Sequence, residues 1–149
     1  MRVMIIGVAI LFFTLFTYNT IEAQSAVYVC TKTGRYGVAF DDGNAPRMNM
    51  GQTKQEAQKR CLDTGGEDCQ LFFSSQTKGW YTFFMGNEKG TYTFAVGKSK
   101  VSEKESMKKA IDDYLQKGGI VMAGCQTLSW YAPKDAIGYK AIMLSKTKL

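Results

Sequence analysis

The chain has 149 residues, with 19 Lys and Arg against 13 Asp and Glu, and it contains no histidine. Without histidine, Ser–His and Cys–His catalysis are excluded, and a zinc site would have to be built without imidazole. The net charge of +6 favours contact with anionic envelope polymers or acidic partners over nucleic acid, although a solvated basic surface that binds nothing also explains it.

The N-terminal segment predicts export. Arg2 precedes an uncharged, almost wholly apolar run from Val3 to Phe16, which is shorter than the about 20 residues that cross a bilayer. Such a run is typical of a secretory signal peptide, and Ala23 offers the small residue needed at a cleavage site. We therefore predict cleavage between Ala23 and Gln24, with an uncleaved N-terminal anchor as the alternative.

The remaining residues, 24–149, suffice for one domain, which we expect in the periplasm or secreted, without a membrane span. Eight segments rich in β-branched and aromatic residues predict strands. These segments are 27–31, 36–40, 71–75, 81–85, 91–96, 120–123, 126–131 and 139–144.

Two helices are predicted between these strands. Capping boxes at Thr53–Glu56 and Ser102–Glu105 indicate where they begin, so the second helix would be about one turn longer than the first. Gly65 and Gly118 supply the left-handed residue that ends a helix. The second helix carries an apolar stripe of Met107, Ala110, Ile111, Tyr114 and Leu115.

An internal repeat organises these elements. Residues 34–40 align with 90–96, a glycine pair follows each helix, and each half closes on a Trp-Tyr dipeptide. The halves cover approximately 34–81 and 90–131, and each is predicted to form a β-α-β-β unit. We therefore predict an α+β fold, with a largely antiparallel sheet and both helices on one of its faces.

All four cysteines follow the predicted signal peptide. An even number in an exported chain implies two disulfides, for which three connectivities exist. Cys61 lies in the last turn of the first helix and Cys69 opens the next strand, so a bond between them would link helix to strand. Cys30 and Cys125 remain for the second disulfide. No Cys-x₂-Cys pair is present, so we predict no metal site.

The chain resembles a family of small exported bacterial domains of unknown function. That family repeats a Gly-x-Ala strand, an Ala-containing helix that ends in Cys, and a Gly-Gly-x-x-Cys turn. The matching residues here are Gly37-Val38-Ala39, Ala57, Cys61, Gly65-Gly66 and Cys69. The resemblance covers roughly 36–130, and it departs from the family pattern at Tyr114, which stands at the position of a second helical Cys. It implies export and fold but no reaction.

Three pairs of neighbouring carboxylates are the remaining candidates for a catalytic site, and they support one poorly. Asp41/Asp42, Glu67/Asp68 and Asp112/Asp113 are neighbours in sequence, whereas glycoside hydrolysis needs two carboxyl groups that face each other across a cleft. The segment from Asp41 to Asn44 also lacks the acidic ladder of a calcium-binding EF-hand. We therefore predict neither a catalytic site nor a cofactor.

Aromatic residues and lysines form the better candidate site. Flat rings can bind sugar or peptide, and nearby lysines would favour an acidic glycan or an anionic protein, although at least half of the rings should belong to the core. We expect a non-enzymatic exported binding or interaction protein of the cell envelope. The alternatives are a periplasmic inhibitor or immunity-type protein and a carboxylate-dependent hydrolase. The candidate binding residues are Trp80, Tyr81, Trp130, Tyr131, Lys78 and Lys98, with Lys89 as a further flanking lysine.

Overall fold

A computed structural model of the protein describes residues 23–41 and 47–132. The predicted signal segment up to residue 22 and the predicted strand at 139–144 lie outside these ranges. The described elements, in chain order, are β1 (Ser25–Cys30), β2 (Arg35–Phe40), α1 (Met50–Asp63), β3 (Gln70–Ser75), β4 (Gly79–Glu88), β5 (Thr91–Ser99), α2 (Glu103–Gln116) and β6 (Gln126–Ala132).

The predicted α+β class and the antiparallel pairing are confirmed, but the strands form two sheets rather than one. Sheet A has the order β2-β1-β3 and sheet B the order β5-β4-β6, and every described pairing is antiparallel. The chain does run β-α-β-β through residues 34–81. The hydrogen-bonded sheets nevertheless divide the chain at a different place, because β4 pairs with β5 and β6. Each sheet together with its helix is therefore a β-β-α-β unit.

The two sheets pack face to face and the helices lie outside them, giving four layers in the order α1, sheet A, sheet B, α2. The prediction that both helices share one face of a sheet is therefore wrong. Each sheet presents aromatic and aliphatic side chains on one face, and these bury one another most fully when the sheets face each other. The buried residues of this central core are Ala23, Val27, Val29, Val38, Tyr81, Phe83, Met85, Phe94, Trp130 and Ala132.

Small residues allow each helix to pack closely on its sheet. A Cβ at Gly37 would lie 2.1 Å from the carbonyl oxygen of Ala57, and a Cβ at Gly97 would lie 1.9 Å from that of Ser106. The buried stripes have matching spacing, Thr53, Ala57 and Cys61 in α1 and Ser106, Ala110 and Tyr114 in α2. Leu115, which we predicted on the apolar stripe, is instead exposed.

The predicted C-terminal ends of both helices are confirmed, whereas the predicted start of α1 is wrong. Gly65 and Gly118 have positive φ, and the following amides of Gly66 and Gly119 donate to carbonyl groups in the last helical turn, which confirms both predicted caps. Ser102 caps α2 as predicted by accepting from the Glu105 amide, but the Glu105 carboxylate pairs with Lys109, so only this half of the predicted capping box is confirmed. α1 begins a turn before Thr53, because Asn49 and Gln52 form its capping box, so both helices have 14 residues.

Residues Ile120–Ala123 form a loop, so the predicted strand there is wrong. Ile120 and Met122 are exposed, and the carbonyl oxygen of Ile120 accepts from the hydroxyl of Tyr114 at 3.4 Å. That carbonyl therefore bonds to a side chain of α2 instead of a neighbouring strand.

Candidate functional site

The predicted aromatic strip divides into a surface pair and a core pair. Trp80 and Tyr131 are opposite each other on β4 and β6, half-buried, with ring centroids 5.1 Å apart. Tyr81 and Trp130, the next pair in register, are 0% exposed and stacked at 5.5 Å inside the central core. Their predicted role in surface binding is therefore wrong, because alternation along each strand turns them inward.

Three lysines are close to the surface pair in sequence or in strand register. Lys78 is exposed and precedes Trp80 by two residues, and β5 runs alongside with Lys98 opposite Tyr81. A Cβ at Gly79 would lie 3.7 Å from Cα of Lys100, so Lys100 also belongs to this end of sheet B. Lys100 was not predicted from the sequence, because only the β4–β5 register brings it to this end of the sheet, one residue beyond the Trp80–Ser99 pair.

Lys89 is not part of this group. It lies in the turn between β4 and β5, with φ of 50°, at the far end of the strand that begins near Lys78. A ten-residue strand spans about 30 Å, which separates Lys89 from the aromatic pair. The expectation that Lys89 flanks the aromatic strip is therefore wrong.

Lys98 covers a network of hydroxyl groups. Its ammonium group donates to Thr77 Oγ1 and lies 5.9 Å from the centroid of the Tyr81 ring. The Tyr81 hydroxyl is 2.8 Å from Ser75 Oγ and 2.9 Å from Thr77 Oγ1. The network closes this end of the central core, so Lys98 is held in place and is less available than Lys78 to an external ligand.

The cysteines confirm one predicted disulfide. Cys61 and Cys69 are bonded, with Cα atoms 6.2 Å apart. Cys30 and Cys125 are both buried free thiols, so the predicted bond between them is wrong.

Layer order explains the missing bond. Cys30 packs against the disulfide on the α1 side of sheet A, whereas Cys125 packs with Phe84 and Tyr114 on the α2 side of sheet B. Packed sheets are about 10 Å apart, and a disulfide requires Cα atoms within about 7 Å.

The thiol of Cys30 is surrounded by hydrogen-bond donors. The side chain of Thr33 is the largest influence that lowers its pKa from 9.0 to about 6, followed by the backbone amide of Asp68. Burial of the sulfur acts in the opposite direction and raises the pKa, and the amides of Thr33 and Glu67 lower it by smaller amounts. Thr33 Oγ1 is buried and makes no hydrogen bond of ordinary geometry with the described residues. A thiolate at Cys30 would offer this hydroxyl an acceptor.

One of the neighbouring carboxylate pairs, Asp112 and Asp113, lies on α2, where each side chain is bound by a lysine. Asp112 and Asp113 make surface ion pairs with Lys108 and Lys117 at 2.9 and 2.7 Å, each one helical turn away. Within residues 23–41 and 47–132, no group of three or more acidic or cysteine side chains could hold a metal ion. In the same ranges, no helix has the length and apolar character needed to cross a membrane.

Comparison with known proteins gives no relative. No protein-family model, no curated protein and no solved structure matches the chain. The candidate site therefore has to be interpreted from its own chemistry.

Proposed function

We propose that the protein is a non-enzymatic, exported binding protein of the cell envelope. Its binding surface would be the aromatic–lysine surface, which we define as Trp80, Tyr131, Lys78 and Lys100. The observation that carries this proposal is the half-exposed pair of Trp80 and Tyr131, whose rings lie side by side at 5.1 Å on the outer face of sheet B.

The exposure of the two rings supports a role for this end of sheet B in binding. α2 packs mainly on β5 and β4, and on the outer face of β6 Thr127 and Ser129 are buried, whereas Tyr131 near the end of the strand is partly exposed. Trp80 lies opposite Ser99, four residues before α2 begins at Glu103, near the N-terminal end of the helix. A ligand can therefore approach the two rings from outside the four layers.

The chemistry of the surface favours an acidic glycan. Indole and phenol rings contact the apolar faces of sugars, and the exposed ammonium groups of Lys78 and Lys100 attract carboxylates. The overall charge of +6 adds long-range attraction to the same class of ligand. Aromatic contact should supply affinity, and the lysines should supply attraction that salt screens over about 8 Å at physiological ionic strength.

The experiment measures binding of the exported protein to polygalacturonate, with dextran as the uncharged comparison. We expect binding to polygalacturonate that weakens as salt increases, and little binding to dextran. Trp80→Ala should weaken binding by at least about tenfold, because aromatic residues dominate binding hot spots. Lys78→Ala and Lys100→Ala should each have a smaller effect.

Lys89→Ala is the matched control, since it removes the same charge at the opposite end of β4. Thermal melts of each variant separate loss of binding from loss of folding. The proposal for this surface fails if folded Trp80→Ala binds polygalacturonate as tightly as the unaltered protein. It also fails if Lys89→Ala weakens binding as much as Lys78→Ala does.

A further inference from the structure

Cys69 is within reach of a second cysteine besides its bonded partner. In the β1–β3 pairing, Val29 lies opposite Gln70, and one residue further along each strand stands a cysteine, Cys30 on β1 and Cys69 before β3. Residues directly opposite in an antiparallel pair have Cβ atoms about 4.5–5.5 Å apart, close to the separation of about 3.5–4.5 Å in a disulfide. Only a small shift would therefore bring Cys30 to bonding distance of Cys69.

The three sulfur-bearing residues form one buried cluster. Cys30 and Cys61 are 0% exposed and Cys69 is 8% exposed, and all three pack together beneath the C-terminal turn of α1. The amides of Glu67 and Asp68, which act on the Cys30 sulfur, belong to the two residues directly before Cys69. The loop that contains Cys69 thus also donates hydrogen bonds to the sulfur of Cys30 on β1.

The surroundings of Cys30 favour its reactive form. Its pKa is lowered to about 6 by the donors described above, so the thiolate predominates at neutral pH. A thiolate, not a thiol, is the species that attacks a disulfide. The buried hydroxyl of Thr33 can donate to that thiolate, which gives this otherwise unsatisfied group an acceptor.

We propose that Cys30, Cys61 and Cys69 form a thiol–disulfide exchange site in which Cys69 alternates between two partners. The Cys30 thiolate attacks Sγ of Cys69, forming the Cys30–Cys69 bond as the Cys61–Cys69 bond breaks. The electron pair leaves on the Cys61 sulfur, which takes a proton from solvent or returns by the reverse attack. No net oxidation or reduction occurs, so the step needs no other reactant.

The exchange would change what the disulfide holds together. In the observed state the bond joins the last turn of α1 to the loop before β3. In the exchanged state it would join β1 to that loop and leave the C-terminal turn of α1 without a covalent attachment. The second half has no equivalent site, because Tyr114 occupies the position that corresponds to Cys61 and packs against Cys125.

The first test is the Cys61→Ser variant, purified in its exported form under oxidising conditions. Acid quenching, alkylation and non-reducing peptide mapping then identify the linked cysteines. We expect a Cys30–Cys69 peptide in this variant, with complete loss of free thiol at Cys30. Cys125→Ser is the matched control, since it removes the other buried thiol and should leave the Cys61–Cys69 bond and free Cys30 unchanged.

The second test does not depend on the folding of a variant. The unaltered protein is held at neutral pH without added thiol, quenched and mapped in the same way. We expect a minor Cys30–Cys69 peptide together with alkylated Cys61, and neither should appear in Cys30→Ser. The proposal is overturned if Cys69 stays reduced in folded Cys61→Ser, or if that variant does not fold and the unaltered protein yields no Cys30–Cys69 peptide.

Discussion

The indole Nε1 of Trp130 donates a hydrogen bond to Ser25 Oγ at 2.9 Å, joining residues that are 105 positions apart in the chain. Ser25 begins β1 in sheet A, and Trp130 lies on β6 in sheet B. Both side chains are 0% exposed, so the bond crosses the central core from one sheet to the other. It gives the only polar atom of the buried indole a partner.

Ser25→Ala should destabilise the protein, because it leaves the indole N–H buried without an acceptor. We expect a loss of about 1–3 kcal/mol in the free energy of unfolding, measured by denaturant titration. Trp130→Phe should cost more than the hydrogen bond alone, since it also leaves a cavity beside Tyr81. The double variant should lose less stability than the sum of the losses in the two single variants, because the hydrogen bond can be lost only once. Strict additivity would show that the bond contributes nothing.

The position of Trp130 in the core could not be predicted from the sequence alone. Trp80-Tyr81 and Trp130-Tyr131 look like equivalent endings of two halves, yet β4 and β6 are neighbours in one sheet. Their antiparallel register places the tryptophan of one dipeptide opposite the tyrosine of the other, so Trp80 lies outside and Trp130 inside. Alternation predicts that neighbouring residues face opposite ways, but the pairing of distant strands decides which one faces the core.

Local features were predicted more successfully. The caps at Gly65 and Gly118 and the bond between Cys61 and Cys69 depend on short stretches of chain, and all are present. The division into two sheets and the free thiol of Cys30 depend on the packing of layers distant in sequence. A count of cysteines could not reveal that Cys30 and Cys125 lie on opposite sides of the paired sheets.

Gly118→Val tests the end of α2. Gly118 has φ of 82° and nothing within 4 Å of the position of an added Cβ, so the penalty should come from backbone strain rather than from a clash. We expect a lower melting temperature for this variant. Gly118→Asn is the matched comparison and should lose less stability, because asparagine tolerates the left-handed conformation better. Equal melting temperatures for Gly118→Val and the unaltered protein would contradict the strain argument.

The predicted export can be checked by the mass of the intact protein. We expect material from the envelope or medium to begin at or near Gln24, which is immediately before β1, so cleavage would remove Ala23 from the edge of the central core. The full-length chain in that material would contradict cleavage of the predicted signal peptide. Replacing apolar residues of the 3–16 run with charged ones should retain the precursor, because the signal needs an uninterrupted apolar region.

The thiol of Cys30 should make stability depend on pH. Its pKa is about 6 in the folded protein against an ordinary value of 9.0, so folding favours the thiolate. This contribution is complete above pH 9, falls between pH 9 and 6, and is lost as the pH drops through about 6. The unaltered protein should therefore gain stability relative to Cys30→Ser as the pH rises from 6 to 9, measured by urea unfolding of both proteins with the Cys61–Cys69 bond intact.

Thr33→Val connects this pH dependence to the donors around the sulfur. Valine keeps the approximate shape of threonine but removes the hydroxyl that has the largest effect on the Cys30 thiol. The pKa of Cys30 should rise toward its ordinary value, which moves the thiolate absorbance transition of the folded protein to higher pH. Spectra of Cys30→Ser supply the baseline that removes the contribution of Cys125. If the transition stays near pH 6 in Thr33→Val, the backbone amides of Asp68 and Glu67 are sufficient to hold the thiolate, and the role assigned to Thr33 is wrong.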